Sequence, residues 1–457
     1  MIQNSFLPLI KLTFYFLYII IESEYNFKCK GENMVNLNEI YTVEIEDTNI
    51  FANGICHIDS FVVFVEGALK GEKCKIQITK VQSRYAYARC IEILERSPSR
   101  ITPNCDKYEK CGGCSYLHTS IEFENQTKEN FVKSAFAKNK IQADFEKIIC
   151  PVSEKYRNKV VLFYNGAGFG YNEKSTTNIV EHASCLLNDK IFDDIASFTA
   201  QELNNTPLRA LYVRKNRNNT EIMVCPIFYT QANILEYASK LLYKFPNVKT
   251  VLTAHLKDKD FAIEKLNFKT VYGDGYITDT LCDLDFKISP KSFYQVNPDC
   301  AELLYEKAIE LLAPQSNTQI ADLFCGTGTM GIITANRTNC KVYGVEIEPS
   351  AVKDAKQNAK LNGVTNIEFK AEDASKFDKQ IDACIIDPPR KGCSKFMLDT
   401  LLRLKPNKIV YVSCNPDTMC NDLKVLLDSY TISSPVYTYN QFPKTTHIEA
   451  VLCLTLK

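Results

Sequence analysis

At 457 residues and 45% hydrophobic content, the chain can hold two or three domains and a sizeable core. Its 54 basic and 54 acidic residues leave no net charge, so no global field draws it to nucleic acid, and any RNA contact must come from local basic patches. Nineteen cysteines, an odd number scattered mostly singly through apolar segments, argue against a secreted disulfide framework and for a reducing cytosol.

Residues 6–21, FLPLIKLTFYFLYIII, are shorter than a comfortable membrane span and carry Lys11. No small-residue cleavage site follows, since IESEYNFKCKGENM is charged and polar. Residues 1–33 are therefore expected to be an apolar extension outside the fold and not a membrane anchor. The patterned chain starts at Met34.

Residues 34–96 alternate apolar and polar positions in short runs (YTVEIED, SFVVFVEG, KCKIQITKVQ, YAYARCIEIL), with turns at Gly54, Gly67 and Gly71. This spacing predicts a small antiparallel β-barrel. Lys70, Lys73, Lys75, Lys80 and Arg84 interleave with Tyr85 and Tyr87, a pattern that suits an RNA-facing surface and equally a solvated β face. Single cysteines such as Cys56, Cys74, Cys90, Cys282, Cys300 and Cys340 read as small buried hydrophobes.

Residues 97–290 are mixed, with a helical stretch near 121–139 and strand-like runs such as NKVVLFY and EIMVCPIFY. They open on CDKYEKCGGC, which sets Cys105, Cys111 and Cys114 in a C-x5-C-x2-C run around Gly112-Gly113. Thiolates converging through a tight glycine turn need a cation, so zinc or an iron–sulfur cluster is expected. Cys185 in EHASCLL is the first choice for a fourth ligand. Cys150 also meets the spacing, and His118 and His182 are alternatives for zinc.

From 291 to 457 strands and helices alternate, the pattern of a parallel α/β sheet. QIADLFCGTGTMGI is a strand, a glycine turn and a helix start, and Gly326, Gly328 and Gly331 satisfy G-x-G-x-x-G with Glu346 twenty residues after the first. A nicotinamide oxidoreductase meets that fingerprint too. The next helix opens at Pro349 and closes at Asn362-Gly363. The carboxyl ends of successive strands deliver Asp322, Glu346, Asp373, Asp387 and Cys414 to the side where open α/β sheets bind ligands. Asp373 is as readily a helix cap. Asp322 before the glycine turn and the D-P-P at Asp387 favour S-adenosylmethionine over NAD. Arg390, where an aromatic residue would follow D-P-P, disfavours amine methylation, and Cys384 lies inside its strand rather than in a Pro-Cys, which disfavours a 5-methylcytosine enzyme. KIVYVSCNP presents Cys414 at a strand end before an Asn-Pro turn, the exposure a nucleophilic thiolate needs.

With CDKYEKCGGC and Cys185, YRNK (156–159), SFYQVN (292–297), DLFCGTGT, DPPRKG, SCNP and HIEAV (447–451), the chain resembles the RNA uracil-C5 methyltransferases, over residues 35–457. It is most similar to the branch with an N-terminal TRAM barrel and a [4Fe-4S] cluster that acts on 23S ribosomal RNA. The resemblance implies a Rossmann-like class I methyltransferase domain at 291–457, a TRAM/OB-like barrel at 34–96 and a mixed α+β iron–sulfur domain at 97–290. It implies cofactor contacts at Gln295, Phe324, Glu346 and Asp387, with S-adenosyl-L-methionine as cofactor. Cys414 would be the nucleophile and Glu449 the base, His447 being structural or RNA-facing. Cys105, Cys111, Cys114 and Cys185 would hold the cluster. The expected protein is a cytoplasmic monomer without membrane attachment, acting on 23S rRNA. The alternatives are the same reaction on a tRNA uridine, an NAD-dependent oxidoreductase, and a non-catalytic RNA-binding protein built on the barrel and a structural metal.

Overall fold

The computed structural model describes residues 35–256 and 261–457, in two compact units divided after Arg100. The extension expected at 1–33 lies outside the described residues. In the first unit six strands form one sheet: Ile40–Glu44, Asp47–Thr48, Asn53–Ile58, Phe61–Glu66, Lys73–Val81 and Tyr85–Glu95. Strict alternation in KCKIQI buries Cys74, Ile76 and Ile78 against Cys56, Val63 and Val65 and leaves the lysines outward. Not every pair is antiparallel, contrary to the sequence expectation. Phe61–Glu66 runs parallel to Tyr85–Glu95, because Lys73–Val81 and Tyr85–Glu95 form a hairpin whose second arm returns beside the earlier strand. Glu72, fully buried, closes the unit by accepting a bidentate pair from Arg100 and the backbone N–H of Leu69 at 2.9 Å. Of the single cysteines, Cys90 is only half-buried, whereas Cys56, Cys74, Cys282, Cys300 and Cys340 are core.

The second unit holds the expected helix as Ile121–Lys138, N-capped by Ser120, and a seven-stranded sheet whose strands include Lys159–Tyr164, Leu208–Lys215 and Ile222–Phe228. A separate hairpin pairs Ile277–Leu281 with Leu284–Ile288.

The C-terminal sheet takes its strands in chain order as Gln319–Leu323, Lys341–Glu346, Ile367–Ala371, Ala383–Ile386, Lys408–Ser413, Tyr430–Ile432 and Glu449–Leu456, with Tyr437–Tyr439 pairing only with the last. Their spatial order is 3-2-1-4-5-7-6. The first five are parallel, while the seventh runs antiparallel between the fifth and the sixth. The doubly wound dinucleotide fold takes the order 3-2-1-4-5-6. The inserted antiparallel strand separates this sheet from that fold, and with it from the nicotinamide reading of the glycine motif.

Candidate active site

The glycine turn is built by Asp322. Its carboxylate is 1% exposed, and Oδ2 accepts the Gly331 N–H at 2.8 Å. A Cβ on Gly331 would stand 2.8 Å from that oxygen, so glycine is required there by space. Burial lifts Asp322 to about 7, against the pull of the Gly331 N–H and with a further push from Glu346. Its Oδ1 is buried with no hydrogen-bond partner, an acceptor directed at no protein donor. Glu346, at the end of the second strand, accepts from Gly326 N at 3.1 Å and Glu348 N at 3.0 Å. Phe324 holds a left-handed backbone with φ 70°, which a bulky side chain adopts only under constraint. The constraint is visible: the Phe324 and Cys325 N–H groups both donate to the Val345 carbonyl, at 2.9 and 3.0 Å. Asp373 resolves to the cap reading, since its carboxylate accepts from Ser375 N at 2.9 Å.

Gln295 sits in the loop before the helix Pro298–Leu312 and is 8% exposed. Three residues that sequence reasoning missed hold this loop. Arg214, fully buried, donates to the carbonyls of Ser292 at 3.0 Å and Tyr294 at 3.1 Å. Asn158, from the YRNK stretch, donates to the Gln295 carbonyl at 2.9 Å. Gln441 donates its amide to the Gln295 side-chain oxygen at 3.4 Å. The only sequence signal was the YRNK stretch itself; the partners lie 78 to 146 residues apart.

Cys414 follows the fifth strand. Asn415 caps the helix Pro416–Leu426 by accepting from Asp417 N at 3.2 Å, and Pro416 occupies the first helical turn where its missing N–H costs nothing. The same Asn415 donates to the Arg390 carbonyl at 3.0 Å, joined there by the Thr418 hydroxyl at 3.2 Å, so the D-P-P-R and S-C-N-P turns are locked together. Across the ladder, Ser413 pairs with Ala450 in antiparallel register. One step further along each strand stand Cys414 and Glu449, at the carboxyl edge of the parallel strands. Glu449 is 6% exposed, and burial, then the Asp387 charge, raises it well above the ordinary carboxylate range, with Arg390 opposing. Asp387 is lifted to about 7 by burial and then by Asp322. Burial, Glu449 and Asp387 together push the Cys414 thiol up to about 12, and Arg390 pulls it back. Arg390 also hydrogen-bonds the His447 ring at Nδ1. Burial and that guanidinium push His447 down to about 4, so the ring is neutral near pH 7 and is no reservoir of protons. Thus the strand ends bring Asp387, Glu449 and Cys414 together within one charge cluster, with Arg390 as its cation.

Cys105, Cys111, Cys114 and Cys185 line one pocket with Tyr108, Arg157 and His182. Gly113 N donates to Cys111 Sγ at 3.4 Å, and Cys185 N to Asp193 at 3.3 Å. Cys150 is not in this pocket; its thiol faces the Val152 carbonyl. His118 bonds the Tyr108 hydroxyl. Among the described residues no group of three or more His, Cys, Asp or Glu is arranged to hold a metal ion. The four cysteines expected from the spacing share one pocket. Burial, then the neighbouring Cys185 sulfur, pushes the Cys114 thiol up to about 12.

A methyltransferase-domain family model matches residues 314–443, and a TRAM-domain model matches residues 35–91. The chain is 33% identical to an uncharacterized RNA methyltransferase of Halalkalibacterium halodurans, over 94% of this chain and 99% of that one. It is 32% identical to a second, from Oceanobacillus iheyensis, with the same coverage of both chains. Among solved structures, the tRNA (uracil-54, C5)-methyltransferase of Pyrococcus abyssi in complex with S-adenosyl-L-homocysteine superposes with a TM-score of 0.75 at 24% identity. It covers 91% of this chain and 99% of its own. That likeness establishes the fold. No described helix is long and apolar enough to cross a membrane.

Proposed function

The chain belongs to the TRAM-containing RNA methyltransferases, and from that premise we propose that it methylates C5 of a uridine through a covalent Cys414–C6 adduct. The observation that carries this reading is the placement of Cys414 and Glu449 one step beyond the Ser413–Ala450 pair, beside Asp387.

S-adenosylmethionine fits the crevice. The partnerless buried Asp322 Oδ1 suits an N–H or cationic donor, and Glu346 at the second strand end is placed for ribose hydroxyls. Gln295, Phe324, Glu346 and Asp387 would hold it. When bound, it would supply an electrophilic methyl group on a sulfonium.

Uracil C5 is too weak a nucleophile unaided, so Cys414 must first make it an enolate carbon. The thiol, lifted to about 12, passes its proton to the neighbouring Asp387 carboxylate, which ionises near 7, as sulfur bonds to C6. Arg390 favours the charged sulfur. Once C5 is methylated it still carries its hydrogen. Glu449 removes that proton, the C6–S bond breaks, the 5,6 double bond returns, and Cys414 leaves as thiolate. The target base must leave its stack to reach a half-buried sulfur.

The first reading of the substrate is 23S rRNA, and tRNA is the second. The second gains weight from the Pyrococcus abyssi enzyme, described as acting on tRNA, whose fold covers 91% of this chain. The four cysteines have the donor chemistry of a thiophilic group, [4Fe-4S] or zinc, and would hold it as an ordering element; the methylation is redox-neutral and no step uses it.

The test is covalent capture. Transcribed 23S rRNA and tRNA carrying 5-fluorouridine are incubated with the protein and cofactor and run on a denaturing gel. A stable protein–RNA band, absent for Cys414→Ala, is expected, because fluorine cannot leave as the C5 proton does. Turnover by Cys414→Ala at the wild-type rate would overturn the reading.

A further inference from the structure

The base enters the site from residues 440–449, and the segment before it is held almost entirely from outside the C-terminal sheet. Lys128 and Glu124 lie one helical turn apart on Ile121–Lys138, both with side chains 0% exposed, and pair at 2.9 Å. Lys128 Nζ also donates to Asn440 Oδ1 at 2.7 Å and the Phe442 carbonyl at 3.2 Å. Glu124 accepts the Asn440 amide at 2.9 Å and the Lys444 N–H at 2.8 Å. The Pro443 carbonyl accepts from the Tyr156 hydroxyl at 3.0 Å. The Lys444 carbonyl accepts from Ser115 N at 2.7 Å and Tyr116 N at 3.2 Å, and Lys444 itself takes a left-handed φ of 67°. Three consecutive carbonyls, 442 to 444, thus each have a dedicated donor. Five residues later the chain delivers Glu449.

Burying an ion pair out of water is costly, and apolar residues of the same volume would pack such a joint at least as well. What the pair adds is geometry. Its spare donors and acceptor pin main-chain atoms of the segment at fixed points, which apolar packing does not do. We propose that Lys128, with Glu124 and Tyr156, is a positioning device for the base, fixing residues 440–444 so that Glu449 reaches the C5 proton of the adduct. This rests on the reading that Glu449 is the base.

A displaced base has a particular signature. Sulfur addition and methylation need Cys414, whereas adduct breakdown needs Glu449, so a loosened segment makes enzyme accumulate as the RNA adduct. The measurement is the fraction of protein covalently bound to unmodified transcribed 23S rRNA, with transcribed tRNA as the second probe, at steady state on a denaturing gel. It is made alongside turnover and S-adenosylhomocysteine affinity. Two variants are used: Tyr156→Phe, which removes a single hydroxyl, and the charge-balanced pair Lys128→Met with Glu124→Gln. The adduct fraction is expected to rise severalfold in both while cofactor affinity stays within twofold. A turnover loss with the adduct fraction unchanged, or no change in either quantity, overturns the positioning role. Tyr156→Phe decides alone should the paired variant not fold. Glu449→Gln is the control: if it accumulates adduct and the other variants do not, only the positioning role fails, and if it releases product normally, the assignment of the base fails.

Discussion

Arg390 donates to Nδ1 of His447 beside the Cys414 sulfur, and the imidazole can only accept, because burial and the guanidinium hold it neutral. The proton of His447 therefore resides on Nε2, and the arginine is kept by a partner that does not neutralise its charge. A carboxylate in that place would bind Arg390 more tightly and spend its field on itself. The neutral ring leaves the field available to the thiol.

Alkylation of Cys414 reads that field directly. Arg390→Met is expected to slow its carboxamidomethylation by iodoacetamide at pH 8, since a cation favouring thiolate is gone. Glu449→Gln is expected to accelerate it, since the leading charge opposing thiolate is gone. Each unit of thiol pKa changes the thiolate fraction about tenfold below the pKa. Peptide mass spectrometry isolates Cys414 from the other thiols, and rate changes of the same sign in the two variants would contradict the arrangement.

Cofactor binding should tighten as pH rises through about 7. Asp387 and Asp322 are lifted there by burial, and only their charged forms attract a cationic ligand. The stability of the free protein moves the other way. A carboxyl with a raised folded pKa stabilises the fold while protonated, so this contribution is full below about 4 and lost as pH climbs through about 7. Titration calorimetry and thermal melts from pH 5 to 8 check both signs, and Asp322→Asn should flatten the slope of the melts.

Gly331→Ala puts a methyl group 2.8 Å from Asp322 Oδ2 and must shift the turn. An overpacking cost of about 1–3 kcal/mol is expected in denaturant unfolding, together with weaker S-adenosylhomocysteine binding. Gly326→Ala is the comparison. Its Cβ would meet open space, and only its φ of 54° opposes the change, so its cost is expected to be smaller.

Arg214→Met leaves two buried carbonyls without their donors, at about 1–3 kcal/mol each. Because those carbonyls lie just before Gln295 in sequence, the cofactor KM should rise more than the RNA KM. An equal rise in both would show that the loop serves the substrate as well.

In the N-terminal unit, Tyr85 and Tyr87 meet edge to face with ring centroids 5.5 Å apart, beside Phe64. Tyr85→Ala is expected to weaken RNA binding by about 1–3 kcal/mol, the usual worth of one base stacked on an aromatic ring, with cofactor affinity unchanged. Filter binding at several salt concentrations checks this, and an unaltered RNA affinity would mark the surface as merely solvated.

Much of this site was legible in the sequence because its information is local. A strand end, a glycine turn, an Asn-Pro cap and a D-P-P each specify a shape within a few residues, so Asp322, Glu346, Asp387 and Cys414 could be placed at strand ends from spacing alone. The parallel pairing of Phe61–Glu66 with Tyr85–Glu95 was not legible, because alternation reports which face is buried and not which direction a neighbour runs. Nor were the contacts between distant segments. Arg390 and His447 are 57 residues apart, and Lys128 and Asn440 are 312 apart. No local pattern distinguishes Lys128 from a solvated lysine on a helix with acidic neighbours. The cysteine run and Cys185, far apart in the chain, do line one pocket.

The spatial order 3-2-1-4-5-7-6 also sets a timetable for assembly. The strand Glu449–Leu456 is made after Tyr430–Ile432 yet must sit between it and Lys408–Ser413. Among the described residues Tyr430–Ile432 pairs with that later strand alone, so it can join the sheet only once the later segment is in place. Until then the fifth strand, which ends at Cys414, presents a bare hydrophobic edge of the kind that recruits other chains. Insertion of one segment both covers that edge and sets Glu449 beside the strand end that carries Cys414, so closure of the sheet and assembly of the candidate site are one event.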